Sequence, residues 1–185
     1  MRANIDDWRP LVDAGQVEAI VMNASGCGVT VKEYGHTLRL DAAYAEKARR
    51  ISELTRDLSE LLPDIAAALK GAAMRSARPK LVLHPPCTLQ HGQQLRGQIE
   101  SNLSELGFDV ELPLNEAHLC CGSAGAYSVL QPGIAYQLRD RKLQNLQEGK
   151  PEVIVSANIG CITHLQSGTA TPVRHWIEVL DDALN

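Results

Sequence analysis

Apolar positions along the chain follow two patterns, one recurring every three or four residues and the other forming short uninterrupted runs. The first is typical of an amphipathic helix, and the second, when bounded by glycine or proline, of a buried strand. Because the two patterns alternate, they predict an α/β fold. In the first part of the chain they predict a helix over 2–14, a strand over 17–22, a glycine-rich turn over 23–28 and helices over 41–56 and 57–70.

The same alternation continues in the second part of the chain. Strands separated by helices pair in parallel, so we expect largely parallel sheets flanked by helices, in a Rossmann-like arrangement. The predicted strands cover 81–83, 109–112 and 153–156, and the predicted helices run from Cys87 to about Leu106, over 130–147 and over about 173–183.

An internal repeat divides the chain. Residues 18–27 align with residues 152–161, with a glycine and a cysteine at the end of both segments. The alignment predicts a partial repeat at 1–75, equivalent to the C-terminal half of a unit, and a complete repeat at 76–185. We therefore expect the chain to be part of a longer protein.

The composition and net charge of the chain exclude several classes of function. The net charge of -4 and the interspersed charged residues provide no basic surface, so no nucleic-acid partner is expected. The chain has neither an apolar run of the roughly 20 residues that a membrane helix needs nor a signal peptide at its start, which predicts a cytoplasmic location. No phosphate-binding glycine motif or nucleophile triad stands out, so no catalytic residue is assigned.

Four of the five cysteines form a spaced set in the second half of the chain. Several thiolates that converge from separate segments are the ligands of a soft-metal or iron–sulfur site, and a reducing compartment favours this over disulfides. The two cysteines that follow predicted strands should meet at one edge of a parallel sheet. The alternative is burial as small apolar side chains. The set is Cys87, then Cys120 and Cys121 followed by Gly122, then Cys161 with His164 three residues later.

This order and spacing resemble the cysteine-rich CCG domain that is found in heterodisulfide reductase and in the iron–sulfur subunits of glycolate oxidase and anaerobic glycerol-3-phosphate dehydrogenase. The segments 23–28 and 84–91 are most similar to the glycolate oxidase subunit. The resemblance covers nearly the whole chain. It implies a longer protein with an N-terminal ferredoxin-like domain and two such repeats, of which this chain corresponds to the end of the first and all of the second.

The resemblance also implies a function. It implies an electron-transfer subunit with a 4Fe-4S type cluster, which is not a stand-alone enzyme. Its partners would be flavin-containing subunits that oxidise glycolate and a quinone-type electron acceptor, with peripheral association at the inner face of the cytoplasmic membrane through the complex. The implied ligands are Cys87, Cys120, Cys121 and Cys161, with His164 as a candidate fifth ligand and Cys27 as a candidate cofactor ligand in the partial repeat.

Two positions depart from the family pattern, which usually ends Cys-x-x-Cys. The last position is His164 in the complete repeat and Thr30 in the partial one. Histidine can bind iron or zinc, and otherwise His164 is a polar residue in an exposed loop. Threonine is a poor substitute, so the first site is predicted to be incomplete and Cys27 is either a surviving ligand or a structural cysteine. His84 and His91 flank Cys87 and are either hydrogen-bond donors around the site or groups that face the quinone, or, as is more common for a histidine near the end of a strand, satisfied loop residues.

Two further functions remain open beside electron transfer. A structural zinc site needs only four sulfur or nitrogen ligands, and it would stabilise the loops without carrying electrons. A metal-free site in which Cys120 and Cys121 act as redox thiols ranks last, because neighbouring cysteines close a disulfide ring only with strain.

Overall fold

A computed structural model describes residues 1–74 and 77–184. The chain divides into two compact units, Met1–Leu61 and Leu62–Asn185. The predicted boundary between the repeats, at residues 75 and 76, lies outside the described residues. Within the described ranges, none of the helices combines the length and the hydropathy that a membrane span requires.

The first unit contains a two-stranded parallel sheet packed against helices. Its strands pair with Ile20 opposite Thr55 and Met22 opposite Asp57. Apolar side chains of its helices form a core that includes Ile5, Val31 and Ile51. Its elements are α1 (Arg2–Asp13), β1 (Ile20–Met22), α2 (Ser25–Lys32), α3 (Tyr34–Thr37), α4 (Ala45–Leu54), β2 (Thr55–Asp57) and a 3-10 turn at Leu58–Leu61.

The second unit contains a four-stranded sheet in the order β4-β3-β5-β6, in which all neighbours are parallel. The two central strands, β3 and β5, are almost completely buried, as is typical of a parallel sheet in an α/β fold. Its elements are α5 (Leu62–Ala68), β3 (Leu81–Leu83), a π-helical turn (Thr88–Gly92), α6 (Gln98–Glu105), β4 (Val110–Glu111), α7 (Tyr127–Leu130), α8 (Pro132–Gln147), β5 (Val153–Ser156), α9 (Ile159–Gln166), β6 (Val173–His175) and α10 (Trp176–Leu184).

The predicted α/β fold with parallel sheets flanked by helices is confirmed. The aligned segments of the repeat also adopt equivalent structure, since α2 and α9 start at equivalent positions after β1 and β5. Each pair of strands keeps the same register: Ile20 lies opposite Thr55, and its equivalent Ile154 lies opposite Val173. The extents of the two repeats, 1–75 and 76–185, stay a prediction.

Three predicted helices contain residues that form strands instead. Residues 55–57 belong to β2 rather than to continuous helices over 41–56 and 57–70, and residues 173–175 belong to β6 rather than to the last helix. Thr55 has an extended backbone, and its hydroxyl donates to the carbonyl of Ile51 at 2.7 Å, which ends α4. Hydrogen bonding to β1 then stabilises β2 as a strand. The spacing of apolar residues along the sequence does not show that a segment has such a pairing partner.

The loops around the predicted chemistry also differ from expectation. The predicted glycine-rich turn enters α2 at Ser25, and the glycines are accommodated in its first turns. The helix expected between Cys87 and Leu106 is interrupted, because Gln94 and Gly97 adopt left-handed backbone angles between the π-helical turn and α6.

Candidate metal centre

The cysteine-bearing segments of the second unit meet at the carboxyl edge of its sheet. β3 and β5 are neighbours, with Leu83 opposite Val155, so the chain after each strand emerges at the same edge. Cys87 follows β3, and Cys161 lies in the first turn of α9, after β5. The Cys120–Cys121 pair lies on the loop between β4 and α7.

The four thiols form one connected group. Cys120 shares hydrogen bonds with the thiols of Cys87 and Cys121, and Cys121 shares a further one with Cys161. Cys121 and Cys161 are buried, whereas Cys87 and Cys120 are half-buried. The structure therefore brings together the four cysteines that the sequence predicted as ligands.

His84 joins this group from the end of β3. Its candidate ligand nitrogen and the sulfurs of Cys121 and Cys161 lie within 4.8 Å of one another, and all three residues are buried. No nitrogen or oxygen atom in the described ranges of the chain is a hydrogen-bond partner of either ring nitrogen of His84, which lies beside the sulfurs of Cys121 and Cys161. A thiol is a weak hydrogen-bond partner, so a metal or a metal-bound sulfur at this point would satisfy the buried imidazole better.

Strand pairing fixes the backbone of His84. Its N–H donates to the carbonyl of Val155 at 2.8 Å, and its own carbonyl accepts from the Ser156 hydroxyl at 3.1 Å. Both partners belong to β5, so the hydrogen bonds of the sheet hold the backbone of His84 in a fixed position beside the thiols. The sequence left His84 open between a donor around the site and a satisfied loop residue, and its place directly after a completely buried strand was the signal for the first of these.

Shared hydrogen bonds divide the four thiols into two types. Hydrogen bonding with Cys121 and Cys87 lowers the pKa of Cys120 to about 2. Hydrogen bonding with Cys121 and with the His84 imidazole lowers the pKa of Cys161 to about 5. The pKa values of Cys87 and Cys121 are raised, chiefly by hydrogen bonding with Cys120. The contacts among the four thiols thus favour a mixture of thiol and thiolate forms.

Two N–H donors further stabilise these thiolates. The backbone N–H of Gly122 donates to the Cys120 sulfur at 3.3 Å, and the Asn158 side-chain amide donates to the Cys161 sulfur at 3.4 Å. Donors of this kind orient metal-bound sulfurs and adjust the reduction potential of a cluster. The donor set of soft sulfurs and one buried imidazole therefore fits zinc or an iron–sulfur cluster.

His164 lies on α9 and is half-buried, so the alternative of a polar residue in an exposed loop is not what the structure has. Its Nε2 atom is 3.2 Å from the carbonyl oxygen of Ala135, and its ring stacks on Tyr136 with centroids 5.9 Å apart. The structure thus places His84 with the buried thiols and places His164 against α8. The assignment of His164 as a fifth ligand stays a prediction.

Cys27 is exposed on α2 of the first unit, at the position equivalent to Cys161. It is the only cysteine in the sequence of that unit. Thr30, which is equivalent to His164, donates its hydroxyl to the carbonyl of Gly26 at 3.0 Å, within its own helix. Residues 1–61 therefore supply one thiol. The role of Cys27 as a ligand stays a prediction.

Replacing His84 with leucine is expected to act in opposite directions on folding and on metal binding. The free energy of unfolding of the metal-free protein should rise by about 1 kcal/mol, because a buried polar group with no nitrogen or oxygen partner is removed. Affinity for Co²⁺ or Zn²⁺ should fall by roughly 10–100-fold. Urea unfolding and a Co²⁺ titration measure the two effects.

His91→Leu provides the control, because His91 is exposed. It should leave Co²⁺ affinity at the wild-type value. A His84→Leu protein that is destabilised and binds Co²⁺ normally would show that His84 serves packing rather than the metal site.

Comparison with known proteins agrees with this geometry. The sequence model of the cysteine-rich domain family, CCG, matches residues 81–166, which span β3 to α9 and include all four clustered cysteines. The "Glycolate oxidase iron-sulfur subunit" of Escherichia coli K12 is 54% identical over 99% of this chain, which covers 44% of that relative. The chain thus spans less than half the length of this relative.

Two relatives from other bacteria extend the comparison. "Lactate utilization protein A" of Geobacillus thermodenitrificans is 30% identical over 88% of this chain, which covers 69% of that protein. The "Probable glycolate oxidase iron-sulfur subunit" of Bacillus subtilis is 26% identical over 84% of the chain, which covers 35% of it. The resemblance predicted from the cysteine spacing is confirmed, and the chain belongs to the cysteine-rich (CCG) domain family.

Proposed function

We propose that the second unit holds an iron–sulfur cluster of the 4Fe-4S type and serves in electron transfer. The observation that carries the proposal is the convergence of four thiols from three segments beside the buried imidazole of His84. When bound, such a cluster supplies reversible one-electron transfer.

The proposed roles of the residues follow from their positions. The four thiols would hold the cluster, and His84 would either bind it or donate to a sulfur. The N–H donors of Gly122 and Asn158 would stabilise negative charge on the sulfurs of Cys120 and Cys161. The ligand residues proposed are Cys87, Cys120, Cys121 and Cys161.

The relatives support a place in an oxidoreductase complex. Two of them are named iron–sulfur subunits of glycolate oxidase. By this relation, the chain would receive electrons from flavin-containing subunits that oxidise glycolate and pass them toward a quinone-type acceptor. It would act in the cytoplasm as a non-catalytic electron-transfer subunit and reach the inner face of the membrane only through the complex.

A structural zinc site is the second candidate. His84, Cys121 and Cys161 place three ligand atoms within 4.8 Å of one another, and one more thiol would complete a closed tetrahedral site. Such a site would hold the loops after β3 and β5 together and would carry no electrons.

Metal analysis and a visible spectrum after anaerobic purification test the two candidates. We expect a brown protein that contains iron and acid-labile sulfide and bleaches on reduction with dithionite. A colourless protein with about one zinc per chain would instead establish the structural site. A metal-free protein with a reversible Cys120–Cys121 disulfide would contradict both.

A further inference from the structure

A lysine side chain lies completely buried beneath the cysteine loops. Lys142, on α8, is 0% exposed. Its ammonium donates to the backbone carbonyls of Glu116 at 3.0 Å and Ala117 at 2.9 Å. Lysine is rarely buried without a charged partner, and both hydrogen bonds of this one go to neutral groups.

The acidic side chain of Glu116 is engaged elsewhere. Glu116 offers its backbone carbonyl to Lys142, but its carboxylate accepts from Arg141 and from the Asn145 amide. Arg141 is exposed, so that ion pair lies at the surface. Hydrogen bonding to Arg141 foremost holds the pKa of Glu116 below its usual range. The negative charge of the Glu116 carboxylate is thus balanced chiefly by Arg141.

The thiols are the other negative groups near the ammonium. Burial lowers the pKa of Lys142, and interaction with the nearby thiols, led by Cys87 and Cys121, acts in the opposite direction. Bound metal requires all of its thiol ligands in the thiolate form, so a filled site would face Lys142 with several negative charges.

Lys142 also lies where the two cysteine loops join. Ala117, which accepts from it, precedes the Cys120–Cys121 pair by three residues. Gln90, three residues after Cys87, donates its amide to the carbonyls of Pro85 at 2.7 Å and Ala117 at 3.5 Å. The ammonium therefore has a fixed position relative to both loops.

We propose that Lys142 is the fixed positive charge of the sulfur site and that it raises the reduction potential of the cluster held there. Reduction adds negative charge to a cluster, and a buried cation stabilises that charge strongly because little water screens it. Lys142 acts through the cluster environment, so it is a positioning and charge-balancing residue. The inference rests on the proposed iron–sulfur function.

Four variants separate the charge of Lys142 from its hydrogen bonds. Lys142→Met removes both, Lys142→Gln keeps an amide donor without the charge, and Lys142→Arg keeps the charge. Arg141→Met is the matched control. It removes one positive charge from the neighbouring residue, which is exposed to solvent and forms an ion pair with Glu116 in the same loop. The measurement is a redox titration of the anaerobically purified chain, with iron and sulfide content determined for each variant.

We expect a more negative reduction potential in Lys142→Met and Lys142→Gln, and a potential close to that of the wild type in Lys142→Arg and Arg141→Met. Loss of iron in both neutral variants, with iron kept in Lys142→Arg, would equally support a requirement for the charge. Neutral variants with iron and an unshifted potential would overturn the inference. So would a Lys142→Arg protein that loses iron as the neutral variants do.

The wild-type chain distinguishes failure of the proposed function from failure of the role of Lys142. If it contains no iron and sulfide, the proposed function fails and the inference fails with it. If it contains a cluster whose potential does not respond to the charge at position 142, only the inference fails.

Discussion

The Cys121→Ala protein is expected to lose nearly all of its iron and sulfide. Cys121 is 1% exposed and links the group, since its thiol shares hydrogen bonds with both Cys120 and Cys161. Removing a residue that merely orients a ligand lowers metal affinity by roughly 10–100-fold, and the loss of a ligand at the centre of the set should cost more. Metal analysis and the visible spectrum after anaerobic purification measure the loss.

Cys27→Ala is the matched control. Its thiol is exposed and belongs to the first unit, where the sequence has no second cysteine. The variant should keep the iron content and the spectrum of the wild type. A Cys121→Ala protein with wild-type iron, or a Cys27→Ala protein without it, would place the cluster ligands elsewhere.

Gly122→Ala is expected to destabilise the second unit by about 3 kcal/mol or more. Gly122 has a backbone φ of +90°, and a Cβ atom there would lie 2.3 Å from the carbonyl oxygen of Ala135 on α8. An alanine would add backbone strain to a steric overlap that only a shift of the loop can relieve. Because Cys120 and Cys121 precede this residue directly, metal binding should be lost as well.

Tryptophan fluorescence can follow the unfolding of each unit separately. The sequence has two tryptophans, Trp8 in the first unit and the completely buried Trp176 in the second. Urea unfolding of the metal-free protein in a Trp8→Phe background therefore reports on the second unit through Trp176. This measurement gives the free-energy difference for Gly122→Ala.

Gly125→Ala separates the cost of backbone strain from the cost of steric overlap with α8. Gly125 lies in the same loop with a φ of +58°, but no atom lies within 4 Å of the Cβ position. Its replacement should cost only about 1 kcal/mol and leave metal binding intact. Equal losses in the two variants would show that the contact with α8 does not determine the position of the Cys-Cys-Gly loop.

Some elements could be read from the sequence because their signals are local. β3 and β5 are short apolar runs, and α8 follows the spacing of a helix, so their predicted positions agree with the structure. The spacing of the four cysteines likewise predicted their convergence, because parallel strands present their carboxyl ends at one edge. These predictions needed only the type of each element and the direction of its strands.

Other elements depend on partners that are distant along the chain. β2 and β6 have three residues each and carry charged side chains at Arg56 and Arg174, so no apolar run reveals them. They form because they pair in parallel with β1 and β5. Hydrogen-bonding partners across a sheet override local helical spacing, and the sequence pattern does not contain them.

The sequence by itself identified the family and predicted which four thiols come together. The tertiary structure decided which other side chains surround them. It placed His84 beside Cys121 and Cys161, turned His164 toward Ala135, and buried Lys142 below the cysteine loops. Burial and the kind of neighbouring group give a histidine or a lysine its chemical role, and both properties arise only when distant segments pack together.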